Sequence, residues 1–210
     1  MVRFLAPLSA LALVGAAAAS HGEPKKQIKS ADQARAVAMQ LRKSDFGPRF
    51  KMSKPSAQEP HFYCKAVDES DLVISAEAES ALFTFAGDDR VHTANSGSWI
   101  YRTAAQSAES WRRSVSPAGV KCVERFLRQE VKRAGATLVS VERLRGVAPQ
   151  SFGMRVRARA GFPLTFDLLA MRHGRAQSAL FFGGALVAFP RKDEERLASI
   201  VADRMADLLR

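Results

Sequence analysis

Residues 152–182 read FGMRVRARAGFPLTFDLLAMRHGRAQSALFF. In its first third Met154, Val156, Ala158 and Ala160 fall on one face and Arg155, Arg157 and Arg159 on the other. After Gly161-Phe162-Pro163, the residues Leu164, Phe166, Leu168 and Ala170 alternate in the same way. After His173-Gly174, so do Ala176, Ser178, Leu180 and Phe182. A period of two puts successive side chains on opposite faces of a pleated strand. Three such runs joined by glycine-containing turns predict an antiparallel meander with one face turned to a core.

Working outward, Pro190 closes the sheet and Asp193-Glu194-Glu195 open a helix. Leu197, Ile200, Val201, Met205 and Leu208 share one side of it, with Arg204 and Arg210 toward its C-terminal end. Upstream, Thr137 to Arg143 reads as a strand. Two helices precede it, broken apart by Ser116-Pro117. The first, Thr103 to Val115, is expected to bury Ala104, Ala108, Trp111 and Val115. The second, Val120 to Arg133, is expected to bury Val123, Phe126, Leu127 and Val131 and to pair Glu124 with Arg128. Trp99 to Tyr101 reads as a short strand. Leu72 to Ala76 and Ala81 to Phe85 read as one long strand or a strand pair, His61 to Val67 as a strand carrying Cys64, and Pro48 to Pro60 as a loop. Ser30 opens a first helix with Ala34, Val37, Ala38 and Leu41 at helical spacing. The expected fold is α+β, a single domain over 30–210 in which helices flank an antiparallel sheet as a sandwich.

The first 20 residues are an address. Arg3 supplies a charge, Phe4 to Val14 is largely apolar, and Gly15 to Ser20 is a run of small residues, the layout of a secretory signal peptide with cleavage after Ala19 or Ser20. The apolar part is far short of the ~20 residues that span a bilayer. An uncleaved anchor is the alternative. Residues 21–29 are polar and basic and read as a flexible leader.

Export changes the meaning of the two cysteines. Outside the reducing cytoplasm, Cys64 and Cys122 are expected to form one disulfide, enclosing a loop whose closure is worth on the order of 4 kcal/mol. An intermolecular bond or free thiols are the alternative. Neither cysteine belongs to a Cys-x-x-Cys pair.

Composition is that of an ordinary globular chain, 47% hydrophobic and 25% charged, which excludes collagen-like and disordered classes. The net charge of +11 is the unusual property. Arg155, Arg157 and Arg159 form a cationic strand face that Arg143, Arg145, Arg172 and Arg175 could extend, a surface suited to phosphate or carboxylate. The bland reading of the same arginines is solubility. An exported protein without a stacking platform or a groove-entering basic helix is a poor match for nucleic acid. Anionic envelope polymers or lipid headgroups fit better. His21, His61, His92 and His173 are scattered, so no metal site and no cofactor are expected. Asp68-Glu69, Asp88-Asp89 and Glu194-Glu195 stand in turns or at a helix start, where acids cap and solvate. Asp167, mid-strand, is the best carboxylate for catalysis, and no catalytic assignment follows from it.

The order of elements resembles that of the PknH-type extracellular sensor domains of actinobacteria, a sheet-and-helix sandwich broadly like that of PsbP-type proteins. The residues that carry the resemblance are Ser98-Trp99-Ile100-Tyr101-Arg102-Thr103 running into an alanine-rich helix with Trp111, then Gly119 to Cys122, and later Leu180 to Gly184 before the amphipathic end. Those domains carry two disulfides where two cysteines allow one. The resemblance implies a sensor-like role and carries no individual ligand-binding residue. The expected function is a secreted, non-enzymatic envelope protein that binds an anionic envelope component or small ligand, with peripheral membrane contact as one form of that binding. The alternatives are an envelope hydrolase built on a cleft carboxylate and a pure protein-interaction module.

Overall fold

The computed structural model of the protein describes residues 22–54, 64–145 and 148–209. The expected signal peptide, His21, His61 and Arg210 lie outside them. Nine strands form one sheet: β1 (Lys25–Lys26), β2 (Lys51–Ser53), β3 (Val73–Glu79), β4 (Leu82–Ala86), β5 (Val91–Tyr101), β6 (Thr137–Leu144), β7 (Ser151–Arg159), β8 (Pro163–His173) and β9 (Ala176–Ala185). The main path runs β1-β3-β5-β9-β8-β7-β6. Strand β4 continues along β5 beyond β3, and β2 adds to β4. Every pairing is antiparallel except β1 with β3. The meander β6 to β9 stands where the alternating sequence puts it.

Four helices cover the sheet among the described residues: α1 (Ser30–Met39), α2 (Ala104–Val115), α3 (Pro117–Arg133) and α4 (Arg191–Leu208). Adjacent residues of one strand serve opposite layers. Phe181, Met154, Val156, Leu164 and Phe166 pack against Cys122, Phe126, Leu127 and Val131 of α3. Phe182, Leu169, Met171 and Leu180 pack against Ala36 and Met39 of α1 and Leu197, Ala198, Val201 and Met205 of α4. The sandwich is therefore helix, sheet, helix, and both faces of the meander are covered where the alternation alone implies one.

The structure departs from the expectations where the pattern is polar. Strand β5 is 11 residues long and central, not a short strand at Trp99. Its inward residues include Thr93, Asn95, Ser96 and Ser98, all buried, which hide the apolar alternation. Ser96 is satisfied by Gln40 and by the Leu41 N–H, and Ser98 by Ser178. Lys25 to Lys29, expected to be flexible, are tied to β3 through bonds from Lys25, Gln27 and Lys29 N–H to Leu72, Ile74 and Ser75. Cys64 precedes a 3-10 turn over Lys65–Val67, not a strand. Helix α2 buries Ser107 and Ser110 while Trp111 is half-buried, because small residues let it lie close to β5 and β9. Ser116 closes α2 and opens α3: its N–H bonds the Arg113 carbonyl and its hydroxyl accepts from Gly119 N–H, with Pro117 preset for the first turn.

Candidate functional site

The disulfide joins Cys64 to Cys122, with Cα atoms 6.1 Å apart. It pins the 3-10 turn to the second turn of α3 rather than bridging helix to strand. Both cysteines are buried in the layer under α3.

The three strand arginines do share one face, the one covered by α1 and α4, but they do not share one fate. Arg155 lies under the start of α4. It faces Asp167 in register on β8 and grips it with two bonds, Nε to Oδ1 at 2.8 Å and Nη2 to Oδ2 at 2.5 Å. Only 18% of its side chain is exposed, and 1% of the Asp167 side chain. Arg157 is half open and pairs with Glu142 of β6. Arg159 is exposed, with no acid partner among the described residues.

Glu194 completes the buried cluster. As an acid at a helix start it is expected in solvent, yet it is fully buried, with Oε1 3.7 Å from Arg155 Nη2 and Oε2 3.1 Å from Arg191. Burial first, and then the Asp167 carboxylate beside it, push its carboxyl up to about 8, so at neutral pH it holds a proton. Two carboxyl groups and two guanidiniums thus meet between β7, β8 and α4. Asp167, singled out as a catalytic candidate, is closed off by Arg155.

The same two-pronged grip recurs. Asp32 of α1 is held by Arg175 at 2.9 and 2.5 Å, and Asp45 by Arg204 of α4 at 2.8 and 2.6 Å. Arg204 therefore fastens α4 to the segment after α1 instead of serving its own helix end. Arg113 holds Asp71 at 2.6 and 2.7 Å. Glu69 is also drawn in: Tyr101 and Ser110 hydroxyls bond it, and burial pushes its carboxyl up. Sequence spacing cannot find these pairs, whose partners lie 32 to 159 residues apart.

Of the arginines that could extend the stripe, Arg143 lies on the opposite face over the Phe152 ring, Arg172 bonds Gln150 and α2, and Arg145 is exposed. His92 is not a surface histidine: it is buried beside Phe85 and Phe189, and burial lowers its pKa. An open recess of about 420 Å³ lies beside the 3-10 turn, lined by Lys65, Asp68, Asp71, Glu109, Arg112 and Arg113. Its walls are mostly ion-paired already. Among the described residues, no cluster of three His, Cys, Asp or Glu side chains could hold a metal ion, and no helix is long and apolar enough to cross a membrane.

With the geometry in place, the chain can be set beside known proteins. No protein-family model matches it, and no curated protein sequence does. The chain is similar in structure to the extracellular domain of PknH from Mycobacterium tuberculosis. The likeness has a TM-score of 0.49 at 11% identity and covers 89% of this chain and 100% of that one. It is a distant structural likeness, and no ligand, activity or site residue passes across it.

Proposed function

We propose that the protein is an exported, non-enzymatic, sensor-like binding module of the cell envelope, and that its ligand is an anionic envelope component. Nucleic acid and a cofactor have no part in this reading. One observation carries it: many exposed cations stand without an acid partner among the described residues. Buried Asp32 and Asp167 and the mostly covered Asp45 are each clamped by an arginine, and Glu194, the most buried acid, holds a proton. Lys51, Lys65, Arg102, Lys121, Arg125, Arg128, Lys132, Arg159 and Lys192 are exposed and have no acid partner among the described residues. The positive excess is thus carried on the outside, where it attracts anions. The Cys64–Cys122 bond suits an oxidising compartment. Against a hydrolase, Asp167 is spent on Arg155 and Glu194 is sealed from solvent.

Of the strand arginines, Arg159 and the outer part of Arg157 are the ones open to such a ligand. The test is capture of the purified protein by envelope fractions at low and high salt. Capture at low salt that is released at high salt is the expected result. Absence of capture, capture indifferent to salt, or recovery of the full-length chain from the cytosol rejects the reading.

A further inference from the structure

We infer that the outer side of α3 is a docking track for a linear polyanion. The inference rests on the anionic-ligand reading above and names both the surface and the form of the ligand.

Helix α3 reads PAGVKCVERFLRQEVKR from Pro117 to Arg133. Lys121, Arg125, Arg128 and Lys132 follow one another at steps of four, three and four. On a helix of 3.6 residues per turn, these steps return to one side. All four are exposed. Among the described residues no acid pairs with them: the ion pair on this helix joins Glu130 to Arg133, and the expected Glu124–Arg128 pair does not form. Like charges three or four residues apart destabilise a helix. The row is therefore held against a local cost, which the C-terminal end of the helix offsets at Lys132.

The row is also fixed in direction. Phe126, Leu127 and Val131 are buried on the opposite side, and Cys122 is bonded to Cys64, so α3 cannot turn about its axis. Eleven steps of 1.5 Å from Lys121 to Lys132 make a track about 16 Å long, with neighbouring cations on the order of 5–6 Å apart.

The form of the track selects the partner. It is one residue wide, whereas a bilayer presents charge in two dimensions. The exposed large apolar residues, Ile28, Val37, Met52, Val139, Leu186 and Val187, all lie off α3, so the helix has no side chain to insert between lipids. The one aromatic residue of α3, Phe126, is buried, so the helix offers no aromatic ring for a base to stack on. A single file of cations matches a polymer with an anionic group on each repeat, in extended form.

The probe is long-chain inorganic polyphosphate, titrated against the whole protein over a salt series, with phosphatidylglycerol vesicles and duplex DNA as parallel arms. Two variants are compared with the parent: Lys121→Gln/Arg125→Gln/Arg128→Gln/Lys132→Gln, and Arg157→Gln/Arg159→Gln. Glutamine keeps helix propensity, and a lighter pair, Arg125→Gln/Arg128→Gln, provides the same reading with half the change. The α3 variant is expected to lose at least about tenfold in affinity at low salt. Its log–log salt slope should be shallower by roughly 0.7 for each contact removed. The strand variant should bind nearly as the parent does. Parent-like binding by the α3 variant, or loss confined to the strand variant, overturns the track and leaves the anionic-ligand reading standing. Vesicle binding without polyphosphate binding, or tighter binding to DNA, overturns the choice of a linear non-nucleic polyanion. If the parent shows no salt-sensitive binding to any arm or to envelope fractions, the broader reading falls too.

Discussion

Arg155 of β7 and Asp167 of β8 stand directly opposite each other and close a two-pronged ion pair beneath the first turn of α4. The alternation that marks Arg155 as outward-facing is correct about the side of the sheet. What it cannot register is that α4 lies across that side. The pair is consequently part of how the last helix seats on the meander.

Arg155→Gln should therefore destabilise the fold, by about 3 kcal/mol, because it strands a buried carboxylate. Replacing both partners, Arg155→Met with Asp167→Leu, should recover most of the loss. Chemical denaturation of the two variants measures this. A single variant as stable as the parent would place the ion pair outside the energetics of the fold.

Glu194 makes stability depend on pH in the direction opposite to an ordinary acid. Its carboxyl is raised to about 8, well above the value it takes in an unfolded chain, so the folded state holds a proton that the unfolded state releases. That contribution is complete below the unfolded value, about 4 to 5, and is lost as pH climbs through about 8. Glu194→Gln should melt above the parent at about pH 9, with the gap closing toward about pH 5. Parallel melting curves at both pH values would contradict the buried proton.

Asp32 works the other way. Arg175 holds its carboxyl down at about 2, so its contribution is present above the usual carboxylate range and is lost as the medium acidifies through about 2. Asp32→Asn should be less stable than the parent at neutral pH, and the difference should shrink steadily in acid. A difference independent of pH would show that the substitution acts through packing alone.

Reduction of the Cys64–Cys122 bond, or Cys64→Ala with Cys122→Ala, should cost about 2 to 5 kcal/mol by releasing a constraint across a separation of 58 residues. Nonreducing mass analysis of the protein recovered from outside the cytoplasm should find the 64–122 linkage. Two free thiols there would remove both the linkage and the argument for an oxidising compartment.

Gly119→Ala tests the corner between α2 and α3. A Cβ at this position would run into the carbonyl oxygens of Arg113 and Ser114, which are backbone and cannot swing aside. The expected loss is about 1 to 3 kcal/mol, read from the denaturation midpoint. A neutral effect would mean the two helices meet less tightly than described.

The meander, α3 and α4 are legible from the sequence because their apolar residues keep the period of the element they form. By contrast, α1 and α2 are legible as helices but not as faces: α1 buries Ala36 and Met39 and exposes Ala34 and Val37, and α2 buries Ser107 and Ser110. Strand β5 is not, since Thr93, Asn95, Ser96 and Ser98 occupy positions where apolar residues would have marked it. The strand stripe was legible as a face but not as a buried site, because Glu194 and Asp167 come together only when α4 docks. Acidic residues near a helix start ordinarily solvate, and nothing local to Asp193-Glu194-Glu195 distinguishes the one that turns inward. The row on α3 is different: its steps of four, three and four stand in the sequence, whereas the Glu124–Arg128 spacing suggests a pair that does not form.

The covalent link between residues 64 and 122 closes a ring that contains β3, β4, β5 and α2. A peptidase that nicks the chain at any bond inside that ring, such as the Gly87–Asp89 turn, cannot separate the pieces. The two ends of the cut stay tethered through sulfur, and β5 keeps its ladder to β9. For a chain exported as proposed above, the bond serves as insurance against a single cut.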